Sequence, residues 1–248
     1  MNKACNTNKT AGIIIIGNEI LSGKVRDSNS FYLASELRSL GVDVMRISVI
    51  PDDIELIGIE AVGFSKRYDL VLTSGGVGPT HDDVTMAGIA KGFGVNLIRN
   101  PELEKRFLLR YGDSINDAIM KMADVPEGTA VIDLGDNSFP LITFGNIYIF
   151  PGIPEYLRKK FSAIKERFRS ASFYLKRLFL NANESDIAAI LNAVVAANLE
   201  VTFGSYPVLG NPEYQIIVTA ESRSEDALHK ALDELLSRLP KGIIVRIE

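Results

Sequence analysis

A run of four isoleucines near the start of the chain constrains the fold more than any other feature. Ile13 to Ile16 lie between Gly12 and Gly17. A short, unbroken run of β-branched residues is typical of a strand that is buried on both faces. Strands of this kind occur in parallel sheets with helices on either side. The run therefore predicts that the chain begins with a strand of an α/β sheet.

The following residues repeat the order of strand and helix, and this alternation predicts right-handed crossovers and a parallel sheet. Asp52 or Asp53 is the expected N-cap of the second helix. A hairpin is predicted around Gly145-Asn146. The predicted helices are 28–40, 54–64, 84–93, one or two within 101–123, and 154–169, and the predicted strands are 12–16, 42–50, 69–73, 140–144 and 147–150, with a turn at 125–128.

The last part of the chain follows a different pattern. Its predicted order is strand 173–180, helix 184–197, strands 201–203 and 214–220, helix 224–238 and strand 242–247. The order β-α-β-β-α-β is that of a small ferredoxin-like or KH-like α+β unit. We therefore expect an α/β domain with a three-layer parallel sheet at 11–172 and a small α+β domain at 173–248.

Charge and cysteine content exclude several classes of function. The 248 residues include 27 Lys and Arg against 31 Asp and Glu, a balance that argues against non-specific nucleic-acid binding. One cysteine, Cys5, fits a reducing compartment, and the polar leader 1–10 is not a secretory signal. The apolar runs are too short to span a bilayer. We expect a cytoplasmic protein without a membrane partner.

Basic residues cluster once, towards the end of the first predicted domain. The simplest interpretation of the cluster is the solvated face of a helix. Its members are Arg158, Lys159, Lys160, Lys165, Arg167 and Arg169.

The loop after the third predicted strand is rich in glycine. Gly75, Gly76 and Gly78 allow sharp turns and close approach of the backbone to a ligand. A helix start beyond such a loop offers free N–H groups and a favourable dipole to a phosphate, and Ser74 and Thr80 would add hydroxyl donors. Glycines that serve only a tight turn are the alternative, but the position between strand and helix favours phosphate binding.

Acidic residues follow the same strands. Asp82 and Asp83 are adjacent at the expected start of a helix, where capping would explain one of them. Glu19, Asp52 and Asp53 follow neighbouring strands, and ligands of open parallel sheets bind at these ends. Carboxylates beside a phosphate need a cation, and Mg²⁺ uses one or two carboxylates together with phosphate oxygens and water. The pattern indicates attack on, or transfer of, a phosphoryl or nucleotidyl group.

Three further features have simpler interpretations. His81 is either a metal ligand or acid/base group or, more simply, a solvated loop residue, and His229 is structural. Segment 204–207 (Gly-Ser-Tyr-Pro) is predicted to be a turn, with reach over the first domain's pocket as the alternative. RNA binding by a KH-like unit requires a Gly-x-x-Gly loop with basic flanks, which the sequence lacks.

Five motifs occur in order along the chain: 17–23 (GNEILSG), 27–30 (DSNS), 51–53 (PDD), 73–85 (TSGGVGPTHDDVT) and 150–154 (FPGIP). Together they resemble the molybdopterin-binding superfamily. The resemblance covers about residues 11–170 and is strongest to the branch of CinA-like proteins and the N-terminal domain of eukaryotic FAD synthase. The end of the chain resembles the segment that follows that domain in FAD synthase, but the sequence given includes neither the synthase domain nor an amidohydrolase domain. FAD synthesis and nicotinamide-nucleotide deamidation are therefore not expected.

The resemblance implies a metal-dependent pyrophosphatase. Its substrate would be a dinucleotide, either FAD, cleaved to FMN and AMP, or ADP-ribose, and its cofactors would be Mg²⁺ or Co²⁺ together with K⁺. Asp52 and Asp83 would act at the reaction centre and hold the metal, with Asp82 and Glu19 assisting. The matching ligand-binding positions are Gly17, Asn18, Glu19, Asp27, Asn29, Ser74, Gly75, Gly76, Gly78, Pro79, Thr80, Pro151 and Gly152.

A second hypothesis is that the domain binds its ligand without catalysing a reaction. The same domain would then be a nucleotide- or molybdopterin-binding module of the kind used in molybdenum cofactor biosynthesis. In either case we expect a small-molecule ligand and no nucleic acid, and the resemblance implies association into a homo-oligomer.

Overall fold

The structure is a computed structural model that describes residues 8–135 and 139–248. Cys5 and the leader up to residue 7 lie outside the described residues. The chain divides into two compact units, the first ending at Ser170 and the second comprising Ala171–Glu248. Each unit is described by itself.

The first unit is built on a six-stranded sheet with the order β2-β1-β3-β8-β7-β6. Strands β2, β1, β3 and β8 are parallel to one another. Strand β7 pairs antiparallel with β8, and β6 pairs antiparallel with β7. A separate ribbon pairs β4 with β5. The strands are β1 (Thr10–Ile16), β2 (Asp43–Ile50), β3 (Leu70–Ser74), β4 (Leu97–Arg99), β5 (Asp124–Pro126), β6 (Ala130–Ile132), β7 (Leu141–Phe144) and β8 (Ile147–Phe150).

Helices cover both faces of this sheet. Side chains of β1 alternate between the two layers: Ile13 and Ile15 pack with α2 and α7, whereas Ile14 and Ile16 pack with α3, α4 and α5. The predicted strand buried on both faces and the three-layer α/β class are therefore confirmed. The helices are α1 (Asn18–Leu21), α2 (Asn29–Ser39), α3 (Ile54–Arg67), α4 (Thr85–Phe93), α5 (Pro101–Tyr111), α6 (Asp117–Lys121) and α7 (Pro154–Ile164).

The winding of the sheet changes direction beside β1. The crossover from β1 to β2 uses α2 on one face, and the crossover from β2 to β3 uses α3 on the opposite face. Strand β1 lies between β2 and β3, so the loops after β1 and β3 leave towards opposite faces. Open α/β sheets bind ligands in the crevice that forms at such a switch point, beyond the carboxyl ends of the strands.

Of the predictions for single elements, some are confirmed and others are wrong. Asp53 caps α3, since its Oδ1 accepts a hydrogen bond from the Leu56 backbone N–H at 2.9 Å. The predicted turn at 125–128 is wrong in part, because Val125 and Pro126 belong to β5. Strands β4, β5 and β6 were not predicted, because each has only three residues and too little sequence for a periodic pattern.

The second unit is a four-stranded antiparallel sheet with the order β10-β11-β9-β12. Because β11 lies between β9 and β10, the arrangement is the split βαβ of the ferredoxin-like class, as one of the two expected topologies predicted. Segment 204–207 is part of β10, so the predicted turn there is wrong. The elements are β9 (Tyr174–Leu180), α8 (Glu184–Ala197), β10 (Thr202–Pro207), β11 (Ile216–Ser222), α9 (Glu225–Arg238) and β12 (Ile244–Ile247).

None of the helices in the described parts of the chain is long and apolar enough to cross a membrane.

The basic cluster of α7 is not uniformly solvated. Lys160 is half-buried, and its ammonium group donates hydrogen bonds to the carbonyl oxygens of Phe139 and Pro140 at 2.5 and 2.6 Å. Burial lowers its pKa to about 8 from the ordinary value of 10.5. The prediction of a solvated face is therefore wrong for this lysine, which fastens α7 to the segment before β7.

Lys160 makes the stability of the first unit depend on pH. Between about pH 8 and 10.5 the folded chain carries neutral Lys160 while the unfolded chain still binds the proton, so the free energy of unfolding rises with pH. We expect the wild type to gain about 1–3 kcal/mol relative to Lys160→Met across this window. Denaturant titrations of both proteins at pH 7 and pH 10 measure the difference. Parallel pH profiles would contradict the prediction.

Helices α3 and α4 pack through glycines. A Cβ at Gly92 would lie 2.5 Å from the carbonyl oxygen of Gly58 and 2.6 Å from its Cα. Since both atoms are backbone, the helices would have to separate. A Cβ at Gly63, also in α3, would meet nothing within 4 Å.

We therefore expect opposite effects from two identical substitutions. Gly92→Ala should lower the free energy of unfolding by about 1–3 kcal/mol through overpacking. Gly63→Ala should raise it by about 0.5–1 kcal/mol, because alanine restricts the unfolded chain and favours helix. Denaturant unfolding followed by circular dichroism measures both. Equal effects of the two substitutions would show that the helix contact is looser than described.

Candidate functional site

The strand ends at the switch point are in direct backbone contact. Gly75 follows β3 with φ +108°, and a Cβ there would overlap the carbonyl oxygen of Ile16 at the end of β1. Gly152, after β8, lies against the other side of this loop, with its Cβ position 3.4 Å from the Gly75 Cα. Three strand ends therefore form one continuous backbone surface, which only glycine at position 75 permits.

Thr85 fixes the C-terminal end of the glycine loop, which we define as residues 75–84 between β3 and α4. Its buried hydroxyl donates to the Gly75 carbonyl oxygen at 2.8 Å, and its backbone N–H donates to the Gly76 carbonyl oxygen at 3.0 Å. We did not select Thr85 as a site residue from the sequence, although it ends the motif that begins at Thr73. The hydrogen bonds make the loop a closed unit between β3 and α4.

The paired acids do not cap α4 as expected. The helix begins at Thr85, its N-cap is Val84, and no side chain caps it. Asp82 and Asp83 lie in the preceding loop. The expectation fails because the loop is closed by Thr85, which moves the helix start beyond both acids.

Asp83 is held within the glycine loop. Its Oδ2 accepts hydrogen bonds from the Thr80 backbone N–H at 2.8 Å and from the Thr80 hydroxyl. A Cβ at Gly78 would lie 2.7 Å from the same oxygen, so this glycine makes room for the carboxylate. Lys121 of α6 donates to the Thr80 carbonyl oxygen at 2.5 Å. The Asp83 Oδ1 has no hydrogen-bond partner among residues 8–135 and 139–248 and can accept a ligand.

The residues next to Asp83 are more open to solvent. The side chain of His81 is 97% exposed, which fits its interpretation as a solvated loop residue. Asp82 is exposed as well, and the Thr80 hydroxyl and its own backbone N–H lower its pKa below the ordinary value. Asp82 is therefore an ionised carboxylate at the mouth of the site.

Asp52 lies beside Gly76 of the glycine loop. Its Oδ2 accepts a hydrogen bond from the Asn18 backbone N–H at 2.8 Å, which joins the end of β2 to α1. Its Oδ1 lies 3.5 Å from the position of a Cβ on Gly76. No described residue donates a hydrogen bond to that oxygen. Asp52 and Asp83 therefore flank the loop, each with one oxygen committed to the protein and one available.

Two other acids at the strand ends have different surroundings. Asp27 accepts from the backbone N–H groups of Asn29 and Ser30 at 2.9 and 3.1 Å and from the Ser30 hydroxyl, so both of its oxygens serve the start of α2. The Glu19 carboxylate lies over Gly17, where its oxygens would be 2.5 and 2.6 Å from a Cβ. Glu19 is exposed, whereas Asp27 is occupied by its own helix.

Asn29 connects three loops beneath the site. It is 7% exposed, and its Nδ2 donates to the Ser74 hydroxyl at 3.0 Å and to the Gly152 carbonyl oxygen at 2.7 Å. Ser74 in turn donates to the Pro151 carbonyl oxygen at 3.1 Å. The Asn29 Oδ1 is buried and has no partner among the described residues. These bonds join the start of α2 to the ends of β3 and β8.

The structure places the predicted residues at one end of the sheet, beyond the carboxyl ends of four parallel strands. Asp53, although adjacent to Asp52, is directed into its own helix, and His229 lies on α9 of the second unit. The residues at the strand ends are Gly17, Asn18 and Glu19 after β1, Asp52 after β2, Ser74 as the last residue of β3, Gly75, Gly76, Gly78, Pro79, Thr80, Asp82 and Asp83 after β3, and Pro151 and Gly152 after β8.

Asp52 and Asp83 are the carboxylates of the site that could take part in holding a divalent cation shared with a phosphate. In the described part of the chain, no group of three or more His, Cys, Asp and Glu side chains is arranged to hold a metal by itself. Mg²⁺ commonly uses one or two carboxylates and completes its shell with phosphate oxygens and water. The available oxygens of Asp52 and Asp83 are of this kind.

Both units match known protein families. Residues 12–170 match the family described as "Probable molybdopterin binding domain", and residues 172–248 match "FAD synthase, middle domain". The chain belongs to the molybdopterin-binding domain family, and the resemblance read from its motifs is confirmed.

Individual relatives agree with this assignment. The chain is 36% identical over 228 residues to a protein of Archaeoglobus fulgidus, covering 91% of this chain and 97% of that one. It is 32% identical over 264 residues to the "Probable FAD synthase" of Caenorhabditis elegans, covering 95% of this chain and 51% of the worm protein, so it spans about half the length of that relative. A crystal structure of the protein CinA, of unknown function, from Thermoplasma acidophilum superposes with a TM-score of 0.59 at 30% identity, covering 65% of this chain and 99% of that one.

The bonds of Asn29 predict a measurable contribution to stability. Asn29→Ala removes the donor for the Ser74 hydroxyl and the Gly152 carbonyl oxygen, and we expect the free energy of unfolding to fall by about 1–3 kcal/mol. Asn18→Ala is the matched control, because Asn18 is exposed and uses only its backbone N–H in the site. Denaturant unfolding measures both. Equal stability of the two variants would contradict the bridging role.

Proposed function

We propose that this protein is a metal-dependent pyrophosphatase that hydrolyses a dinucleotide, with FAD (to FMN and AMP) or ADP-ribose as the substrate. One observation carries the proposal: Asp52 and Asp83 flank the glycine loop at the switch point, each with one carboxylate oxygen free of protein hydrogen bonds. That arrangement suits a reaction at a phosphate that is held between them.

The glycine loop would bind the pyrophosphate of the substrate. Gly76 presents backbone without a side chain at the partly open part of the loop, whereas Gly75 is buried and its N–H donates to the Phe150 carbonyl oxygen. Both glycines have positive φ angles that turn the peptide groups sharply. Concave runs of backbone N–H groups in such turns bind anions. Thr85 and the Ile16 contact hold the loop in this shape before a ligand arrives.

Asp52 and Asp83 would hold a divalent metal, which supplies neutralisation of phosphate charge and an acidified water. The Asn18 N–H orients the Asp52 carboxylate, and Thr80 orients that of Asp83. In the reaction the water oxygen bonds to one phosphorus, the bond from the bridging oxygen to that phosphorus breaks, and both products leave as phosphomonoesters. Mg²⁺ or Co²⁺, with K⁺ in addition, is the cofactor set proposed from the resemblance.

The choice of substrate rests on the relatives. The worm protein is named a probable FAD synthase, and the second unit matches a domain that is described from FAD synthase. A dinucleotide that contains flavin or ADP-ribose is therefore the first class to examine.

A binding module without hydrolysis is the second candidate. The family description of the first unit, a probable molybdopterin-binding domain, favours it. Such a module would bind a nucleotide or pterin at the same glycine loop, and its affinity would not be accompanied by turnover.

Two adjacent aspartates provide a sharp test of the proposed chemistry. Asp52→Asn removes the charge of a proposed metal ligand, and we expect turnover to fall on the order of 100-fold or more. Asp53→Asn is the control: asparagine is an equally good N-cap, so α3 is retained and turnover should stay unchanged. Asp83→Asn should behave like Asp52→Asn.

The assay incubates the purified protein with FAD, ADP-ribose or NAD, in Mg²⁺ or Co²⁺ and in EDTA, and separates the products by chromatography. FMN and AMP from FAD, lost in EDTA and in Asp52→Asn but kept in Asp53→Asn, would support the proposal. Full turnover by Asp52→Asn would refute the assigned roles. Binding without turnover of any dinucleotide would favour the second candidate.

A further inference from the structure

Strand β2 leaves one side of its backbone unpaired. It is the outermost strand of the six-stranded sheet and pairs only with β1. The Ile50 carbonyl oxygen accepts from the Gly17 N–H, so Ile50 faces β1. Backbone groups alternate along a strand, so Ile47 and Val49 face away from the sheet. Their outward N–H and C=O groups have no hydrogen-bond partner among the described residues.

The side chains of this edge are apolar and exposed. Ile47 and Val49 are 44% and 37% exposed, and they lie on the α2 face of the sheet in register with Ile13 and Ile15. Met45, at an irregularity of the pairing with β1, is 60% exposed. A long edge strand with exposed apolar side chains is a template for pairing with another strand.

The one charge on this part of β2 does not protect the edge. Arg46 points to the opposite face of the sheet, where it pairs with Glu60 at 3.1 Å and lies over the Phe64 ring. No proline interrupts β2. By contrast, the opposite edge of the sheet is β6, with three residues. In the second unit, the edge strand β12 has four residues and an irregular pairing in its middle, and the other edge strand, β10, ends in Pro207.

We propose that β2 pairs with β2 of a second copy of this chain, antiparallel, about a two-fold axis at Ser48. In an antiparallel pair, residues whose backbone groups point at each other exchange two hydrogen bonds. An axis at Ser48 sets Ile47 opposite Val49 of the second copy, and the converse, which gives about four hydrogen bonds. The four side chains then form one apolar cluster across the axis, and the contact is the same on both copies, as a closed dimer requires.

The proposed register of the β2–β2 pairing determines which substitutions test the dimer. Ile47→Lys places a lysine opposite Val49 of the second copy, once on each side of the axis, and should weaken dimerisation by about tenfold or more. The double variant Ile47→Lys/Val49→Glu places each lysine opposite a glutamate and should restore the dimer. Ile59→Lys is the matched control, because Ile59 is 68% exposed on α3 and away from the edge.

Sedimentation equilibrium of the full chain at micromolar to about 100 µM concentration reads the outcome against the monomer mass of 27.2 kDa. Circular dichroism checks that each variant is folded. A dimer that is lost in Ile47→Lys, kept in Ile59→Lys and restored in the double variant supports the proposal. A monomeric wild type, a dimer indifferent to Ile47→Lys, or a double variant that stays monomeric would overturn it. None of these outcomes depends on enzymatic activity.

Discussion

The close approach of Gly75 to the Ile16 carbonyl oxygen is the contact on which the site depends. It brings the ends of β1 and β3 together at the switch point, where the loops leave towards opposite faces of the sheet. A side chain at position 75 would separate those strand ends, and its positive φ excludes most residues in any case. Thr85 and Gly152 both add to the same loop, so its shape is determined by the sheet rather than by a ligand.

The parts of the fold that the sequence predicts are those with repetition. The isoleucine run predicts a strand buried on both faces because four adjacent residues agree, and the order of elements in the second unit follows from six clear segments. The three-residue strands β4, β5 and β6 offer no such repetition. In the sequence, Lys160 cannot be distinguished from the other basic residues of its helix. Only the positions of the Phe139 and Pro140 carbonyl oxygens show that it is partly enclosed.

The acidic residues of the site show the same limit of sequence-based prediction at the level of single side chains. Asp27, Asp52, Asp53 and Asp83 all lie in segments that follow predicted strands, and this position alone does not rank them by role. Their hydrogen bonds separate them: Asp27 and Asp53 serve the starts of α2 and α3, whereas Asp52 and Asp83 retain a free oxygen beside the glycine loop. The difference arises from long-range placement and from one residue of offset, which position after a strand does not reveal.

Asn29 has a consequence for how this domain can vary among relatives. Because one buried amide joins the start of α2, the end of β3 and the loop after β8, these three segments share a single fixed point. An insertion or deletion in any one of them would move a donor or acceptor away from the other two. Lineages should therefore change the lengths of these loops together or not at all.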